Sequence, residues 1–348
     1  MSFRPHLSPQ QAAIYQALPK VDLHRHLEGS VRVATMREVI REHELTLPMT
    51  RDLSAMVQMQ PNDPSNFETF LSKFQALRLL YRSPEIIRRV TREAILDAAA
   101  DNVRYLELRF APVALSRAKQ FPLGEVIDWV LDSTAQASQE CGIQVGLIVS
   151  LNRHEPVAFG EEITRLAVDR RARGIVGLDL TGNEAQFPAD PFLDIFRQAK
   201  AAGLKLTMHA GEWGGAENIR QALVDFGADR IGHGVRVLED KNVVAMAVER
   251  GTPFEVCLTS NFQSGVVSRI ENHYLPRMLA AGINVTLNTD DPSISNITLG
   301  DEYSLASEVL GVPRPVLHER ILAAARAAFL PDDERLLLVE SLRRLLTA

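Results

Sequence analysis

Eight short runs rich in leucine and β-branched residues recur along the 348-residue chain, and each ends in polar or glycine-rich residues. The runs begin at Val21, Val103, Gln144, Ile175, Leu204, Arg230, Pro253 and Ile283. Helix-like segments such as 192–203 and 218–228 lie between most of them, and several end in glycine, which stops helices. Strands that alternate with helices pair in parallel. Eight such units in a chain of this size predict an α/β fold of the (β/α)8 TIM-barrel type.

A doubly wound open sheet is the alternative architecture for such an alternation. It favours a glycine-rich phosphate loop after the first strand, and the sequence HLEGS at that point is not one. We therefore expect a single barrel domain over residues 1–348. The long segment 30–102, between the first two strands, predicts an extended helical insertion.

Composition narrows the possible partners and the compartment. The net charge is −6 and no basic stripe is present, which argues against nucleic acid or an anionic membrane as a partner. No apolar run approaches the ~18 residues that a membrane span needs, and the first twenty residues contain no signal-peptide core. Cys141 and Cys257 are too few for a disulfide framework, so a cytoplasmic location is expected.

Histidines and carboxylates gather at the carboxyl ends of the predicted strands, which in a barrel meet at one functional face. These residues are His24, His26, His209, Glu212, His233, Asp290 and Asp291. His24 and His26 are two residues apart on a strand, so their side chains point to the same side. Taken alone, two histidines at this spacing usually do not bind a metal, and Asp-Asp-Pro is usually only a turn. Their coincidence at one face indicates a divalent metal site, with zinc the usual ion.

Two other classes of zinc hydrolase fit the sequence less well. Cytidine-type deaminases use H-x-E with P-C-x-x-C, and this chain contains no C-x-x-C. Many barrel hydrolases bind two metals through a modified lysine on the fourth strand. The fourth run, IVGLDLTGNE, contains no lysine, which favours one metal ion.

Four segments resemble the signature sequences of the adenosine deaminase family: PKVDLHRHLEG, MHAGE, RIGHG and LNTDDP, in this order. The resemblance extends from Pro19 to the EYSLA segment at Glu302. It implies a TIM-barrel hydrolase of C–N bonds in cyclic amidines, with one zinc ion per chain and a small purine as its partner. The implied reaction, in purine metabolism, is hydrolytic deamination of a 6-aminopurine nucleoside, foremost adenosine or 2′-deoxyadenosine.

The resemblance also implies roles for individual residues. The residues matching the zinc ligands are His24, His26, His209 and Asp290. Glu212 corresponds to the acid that protonates purine N1, and His233 to the base or orienting group beside the attacking hydroxide. Asp291 corresponds to the carboxylate that holds substrate and hydroxide, and Gly182 to the glycine whose N–H meets the purine ring. Because attack at C6 moves electron density onto N1, Glu212 must hold a proton, which requires a raised pKa.

The segment PSNFETFLSKFQALRLL carries a helix signal within the predicted insertion. Ser65 and Glu68 fit an S-x-x-E capping box. An apolar face then follows at helical spacing, formed by Phe67, Phe70, Leu71 and Phe74. A helix packed on the core is one interpretation. The resemblance implies another, in which the helix is a lid whose Phe70, Leu71 and Phe74 pack on the nucleoside.

The sequence departs from the adenosine-specific pattern on the sugar side. Glu28 and Asn183 stand where aspartates are usual, and we expect Glu28 at the pocket mouth, bound to the sugar. Deamination of a modified nucleoside such as aminodeoxyfutalosine, or of free adenine, stays open as an alternative. Gly232 argues against adenine, because adenine deaminases tend to have aspartate there. A non-catalytic barrel that keeps the metal is a remote alternative.

Other charged and polar residues receive structural interpretations. Glu107 and Arg109 are expected to form an ion pair inside the barrel. The remaining histidines, His273 among them, lie outside the recognised segments and are expected to have no part in the site.

Overall fold

A barrel of eight parallel strands forms the centre of the computed structural model, which describes residue 5 and residues 7–45 and 52–347. The strands are β1 Lys20–His26, β2 Val103–Phe110, β3 Gln144–Asn152, β4 Ile175–Thr181, β5 Lys205–Ala210, β6 Arg230–His233, β7 Pro253–Val256 and β8 Asn284–Leu287. Each pairs in parallel with the next in chain order, without the reversal of a doubly wound sheet. The predicted (β/α)8 barrel is confirmed, with one strand in each of the eight runs.

The barrel closes between β8 and β1 just beyond the end of β8. The backbone N–H of His26 donates to the carbonyl of Asp290 over 2.8 Å, and the N–H of Asp290 donates to the carbonyl of His24 over 2.7 Å. Arg25 and Asp290 form an isolated parallel bridge at the same point. The seam of the barrel therefore runs through candidate site residues.

Helices surround the barrel. They are α1 Pro9–Ala17, α2 Val33–Glu42, α3 Leu53–Val57, α4 Phe67–Leu77, α5 Pro84–Ala100, α6 Pro112–Ser116, α7 Leu123–Cys141, α8 Val157–Asp169, α9 Leu193–Ala201, α10 Ala216–Val224, α11 Lys241–Arg250, α12 Leu258–Gln263, α13 Leu275–Ala280, α14 Pro292–Ser295, α15 Leu299–Glu308, α16 Arg314–Ala327 and α17 Asp332–Thr347. Four of them, α2 to α5, lie between β1 and β2, and residues 46–51 of that connection are outside the described residues. Among the helices described, none combines the length and apolarity needed to cross a membrane.

An apolar core fills the space between the barrel wall and these helices. Leu106 and Leu108 of β2 are fully buried, as are Ile87 and Val90 of α5, which packs against that strand. Burial of this kind is the main favourable term in folding. It holds the strand ends, and the side chains on them, in a fixed arrangement.

The start of α4 differs from the sequence prediction. Asn66, in extended backbone conformation, is the N-cap, and its side-chain oxygen accepts a hydrogen bond from the N–H of Thr69 over 2.8 Å. The predicted capping box with Ser65 as cap is therefore wrong. Asparagine caps helices as well as serine does, so the helix begins one residue later.

Charged side chains cross the barrel interior. Arg109 on β2 contacts Asp179 on β4 at 2.9 Å and Glu255 on β7 at 2.8 Å. Arg230 on β6 pairs with Glu107 and, at 2.6 Å, with Glu255. The predicted pair between Glu107 and Arg109 is wrong, because each finds its opposite charge on another strand. The result is one buried network in which each charge faces its opposite, as buried charges require.

Candidate active site

Three imidazoles and one carboxylate converge at the carboxyl end of the barrel. His24 of β1, His209 of β5, His233 of β6 and Asp290 after β8 are all buried, and their potential ligand atoms lie within 4.8 Å of one another. His26 joins at the edge, with Nε2 3.3 Å from Oδ1 of Asp290. The four residues that match the family's zinc ligands thus lie together, and His233 lies among them.

Two of the imidazoles are oriented by carboxylates behind them. Nδ1 of His24 lies 2.8 Å from Glu255, and Nδ1 of His209 lies 3.2 Å from Asp179. A carboxylate accepts a hydrogen bond from Nδ1–H, so the proton of the neutral ring is on Nδ1 and the Nε2 lone pair is free, as is usual for metal ligands. Nε2 of His24 is buried without a hydrogen-bond partner, although Oδ1 of Asp290 is only 3.3 Å away. This donor set fits a divalent metal ion.

Sequence reasoning missed Glu255 and Asp179. The available signal was an acidic residue within an otherwise apolar strand, in FEVC and in LDLT. A charge at such a position needs a buried partner. Here the partners are His24 and His209 of the cluster and Arg109, so these carboxylates connect the charged interior to the candidate metal site.

Glu212 follows β5 and lies beside the cluster, with Oε2 3.6 Å from Nε2 of His233. Burial raises the pKa of Glu212 well above its usual range, and the negative charges of Asp290, Glu184 and Asp291 raise it further. This environment favours the protonated form of the Glu212 carboxyl group over the ionised form. The group can therefore act as a proton donor to a bound molecule.

The segment that carries Glu212 is held by Glu184, which sequence reasoning also missed. The Glu184 carboxylate accepts backbone hydrogen bonds from Gly211 at 2.9 Å, Glu212 at 2.6 Å and Trp213 at 2.9 Å. The side-chain amide of Asn218 donates to it as well, at 2.9 Å. One side chain thus satisfies three consecutive backbone donors and fixes the turn.

A pocket opens onto these groups. All six residues predicted to bind substrate line it: Glu28, Phe70, Leu71, Phe74, Gly182 and Asp291. Arg78 and Tyr81, which the sequence did not single out, line it too. The Tyr81 hydroxyl is buried without a hydrogen-bond partner, so the pocket offers a free polar group.

Glu28 lies in the pocket wall, and its carboxylate is already engaged. Oε1 accepts a hydrogen bond from the backbone N–H of Ala111 over 2.7 Å. Burial raises the pKa of Glu28 to about 7. The side chain therefore presents less negative charge to the pocket than a free surface glutamate would.

The next residue, Gly29, lets Asp291 come close. A Cβ atom at Gly29 would lie 1.8 Å from Oδ1 of Asp291, so no larger residue fits without displacement of that carboxylate. Oδ1 of Asp291 is itself buried without a hydrogen-bond partner.

His233 and Asp290 both have positive φ, 58° and 64°, which is uncommon for residues with a side chain and typical of functional sites.

Helix α4 covers the pocket from the side of the β1–β2 connection. The ring of Phe67 contacts Trp213 edge-on, with centroids 4.2 Å apart. Leu71 and Phe74 line the pocket, and Leu71 is 39% exposed. An apolar helix face thus meets the segment that carries Glu212.

Comparison with known proteins identifies the family to which the chain belongs. A family model described as Adenosine deaminase matches residues 19–345. An adenosine deaminase of Shigella flexneri is 35% identical over 323 residues, which are 91% of this chain and 96% of that protein. The structure of an adenine deaminase from Arthrobacter aurescens superposes with a TM-score of 0.88 at 26% identity, covering 95% of this chain and all of that one. The structure of Arabidopsis ADAL complexed with IMP gives a TM-score of 0.84 at 28% identity, with 96% and 98% covered. The chain belongs to the adenosine deaminase family.

Proposed function

We propose that this deaminase converts adenosine and 2′-deoxyadenosine to inosine and 2′-deoxyinosine plus ammonia, with one zinc ion per chain. The observation that carries the proposal is the buried Glu212 carboxyl beside a His/Asp cluster that could hold a metal. The nucleoside substrate is supported by relatives at 35% identity that are adenosine deaminases. We also propose a cytoplasmic location, in keeping with the two free cysteines.

His24, His26, His209 and Asp290 would hold the zinc ion. When bound, zinc lowers the pKa of a water ligand to roughly 7 and so supplies hydroxide at neutral pH. Glu255 and Asp179 keep the Nε2 atoms of His24 and His209 free for this purpose.

Glu212 would deliver a proton to purine N1. Attack of oxygen at C6 breaks the aromaticity of the ring and moves an electron pair onto N1. A proton from the Glu212 carboxyl neutralises that charge as it forms. The raised pKa of Glu212 keeps the proton available in the free enzyme. Loss of Glu212 or His233 would have indicated the non-catalytic alternative, and both residues are present and line the pocket.

The pocket wall would hold the purine and exclude water. The Gly182 N–H and the free Oδ1 of Asp291 would meet the polar edge of the ring. Phe70, Leu71 and Phe74 of α4 would pack on the nucleoside. We propose the 30–102 segment as an insertion in one barrel domain that carries this lid, because exclusion of water strengthens the electrostatic interactions of the site.

A panel of five substrates tests this function. We expect kcat/KM to rank adenosine and 2′-deoxyadenosine first, followed by aminodeoxyfutalosine, adenine and AMP. The assay is the loss of absorbance near 265 nm on deamination. If adenine exceeded adenosine tenfold, the nucleoside assignment would be wrong. The Glu28→Asp variant is assayed on the same panel, and unchanged ratios would remove Glu28 from sugar recognition.

A nucleoside monophosphate, ranked last in that panel, is a further candidate substrate because the exposed Arg78 lines the pocket. The charge of Glu28, which would repel a phosphate, is reduced by its raised pKa. The Arabidopsis relative whose structure contains IMP supports the same possibility. If AMP outranked adenosine and Arg78→Ala removed only the preference for AMP, the monophosphate would be the substrate.

A further inference from the structure

A chain of hydrogen bonds runs behind His233, on the side away from the pocket. The side-chain nitrogen of Asn261 lies 3.2 Å from Nδ1 of His233. The oxygen of the same amide lies 3.3 Å from Nε2 of His273. The backbone N–H of Leu275 donates to Nδ1 of His273 over 3.0 Å. Asn261 and His273 are buried, and both follow β7.

The backbone N–H of Leu275, at the far end of this chain, determines the donor and acceptor of every hydrogen bond in it. A backbone N–H can only donate, so Nδ1 of His273 must be the unprotonated nitrogen of that ring. The proton of His273 is then on Nε2 and is donated to Oδ1 of Asn261. Burial lowers the pKa of His273 to about 3, which is consistent with a neutral ring. The NH2 group of Asn261 is thereby turned to His233.

The orientation of Asn261 determines the state of His233. Because the amide donates to Nδ1, that nitrogen keeps its lone pair, and the proton of the neutral ring is on Nε2. Nε2 is the atom that faces Glu212 and Asp290 across 3.6 Å and 3.9 Å. His24 and His209 have the opposite tautomer, because a carboxylate accepts a hydrogen bond from Nδ1–H of each ring and Nε2 is left unprotonated.

We propose that Asn261 and His273 are positioning residues that hold His233 as the Nε2–H tautomer, so that it donates a hydrogen bond into the pocket. His233 is then neither a metal ligand, although its ring lies within the cluster, nor a base through Nε2. In the deaminase function proposed above, on which this consequence rests, Nε2–H orients the oxygen nucleophile toward C6. The tautomer itself is independent of that function.

Nitrogen NMR tests the proposal directly. The full-length protein as isolated, labelled with ¹⁵N-histidine, is examined by long-range ¹H–¹⁵N correlation, which distinguishes Nδ1–H from Nε2–H rings. The His233 signals are identified by their loss in His233→Gln. We expect the Nε2–H pattern for His233 and His273 and Nδ1–H for His24 and His209. An Nδ1–H pattern at His233 in the unmodified protein would overturn the proposal without any variant.

Asn261→Asp is the sharpest variant, because it keeps size and replaces the donor with an acceptor. His233 should then donate from Nδ1 to the new carboxylate, and its spectrum should change to the Nδ1–H pattern. We expect kcat to fall about 10-fold or more with KM changed less than about 3-fold, because a catalytic histidine in the wrong tautomer is costly. An unchanged spectrum in folded Asn261→Asp would contradict the proposal.

His318→Gln is the matched control, because His318 lies on α16, away from the pocket lining. The spectrum of this variant should lack the signals of His318 and keep those of His233 unchanged.

The experiments distinguish an error in the tautomer proposal from an error in the proposed deaminase function. Protein with the expected tautomers that deaminates no purine would contradict only the function. Protein that deaminates adenosine with His233 in the Nδ1–H form would contradict only this inference.

Discussion

The Glu184 carboxylate accepts the backbone N–H of Glu212 over 2.6 Å, so the proposed acid is positioned through its main chain by a second glutamate. The same Glu184 carboxylate contributes to the raised pKa of Glu212 through its negative charge. Burial is the largest cause of that raised pKa, and Glu184 adds to it while it also fixes the position of the acid.

Replacement of Glu184 by glutamine should impair the reaction without unfolding the protein. The amide offers one acceptor oxygen to three backbone donors, and a buried donor left unpaired costs about 1–3 kcal/mol. We expect kcat on adenosine to fall roughly 5- to 100-fold. Glu217→Gln, on the exposed face of α10, should keep full activity as the control. Equal losses in both variants would indicate a general effect of charge.

Glu212→Gln should abolish most of the turnover, because the amide cannot deliver the proton to N1. We expect kcat to fall at least ~100-fold, the lower end for general acid catalysis. Metal content, measured by elemental analysis, should stay at the level of the unmodified enzyme. Near-normal turnover in the metal-loaded variant would remove Glu212 from the mechanism.

The metal site should contain about one zinc ion per chain in purified protein. Removal by a chelator should abolish deamination and lower the melting temperature, because ligands from β1, β5 and the segment after β8 lose their common partner. Both effects should be reversed by added zinc. Two ions in one site by elemental analysis would contradict the mononuclear assignment.

Stability should depend on pH through Glu302, which accepts the backbone N–H groups of Leu258 at 2.6 Å and Thr259 at 3.1 Å. Burial raises the pKa of Glu302 from 4.5 to about 8. Between these values the folded protein holds a proton that the unfolded chain has released, so stability falls as pH rises through that window, at most by ~1.4 kcal/mol per unit. Glu302→Gln should remove this slope in urea unfolding at pH 5, 6.5 and 8. Parallel curves for both proteins would show that Glu302 is ionised throughout.

The lid proposal predicts a defect in binding for Phe74→Ala. Loss of a half-buried aromatic side chain from the pocket wall should raise KM for adenosine about 10-fold and change kcat less. Leu79→Ala, an exposed apolar residue just beyond α4, is the control and should behave as the unmodified enzyme. If both variants raised KM equally, the increase would come from a general disturbance of the helix and not from loss of a contact between Phe74 and the substrate.

Local pattern was enough to locate the strands. Each run carries its own β-branched or leucine-rich signal, and even the four-residue strands β6, β7 and β8 lie inside predicted runs. The cap of α4 was misplaced because Ser65 and Asn66 are both good caps, and local sequence does not choose between neighbours.

The histidine and carboxylate cluster was predictable because its residues lie at or just beyond strand ends. His24, His209 and Asp290 end or follow strands, so barrel geometry brings them together. The side chains behind them were not foreseen, since Glu255 and Asn261 acquire their partners through tertiary contacts across the barrel. The sequence predicts no role for His273, because nothing in its local sequence marks a contact with Asn261.

The seam between β8 and β1 has a consequence for biosynthesis. His24 and its backbone partner Asp290 lie 266 residues apart, about three-quarters of the 348-residue sequence, so the ribosome makes His24 long before Asp290. The end of β1 therefore has no closing partner until residue 290 has been made. A nascent chain stalled before residue 290 would hold its histidines without the carboxylate that completes the cluster. Binding of a metal ion by the full set would therefore have to follow the synthesis of Asp290.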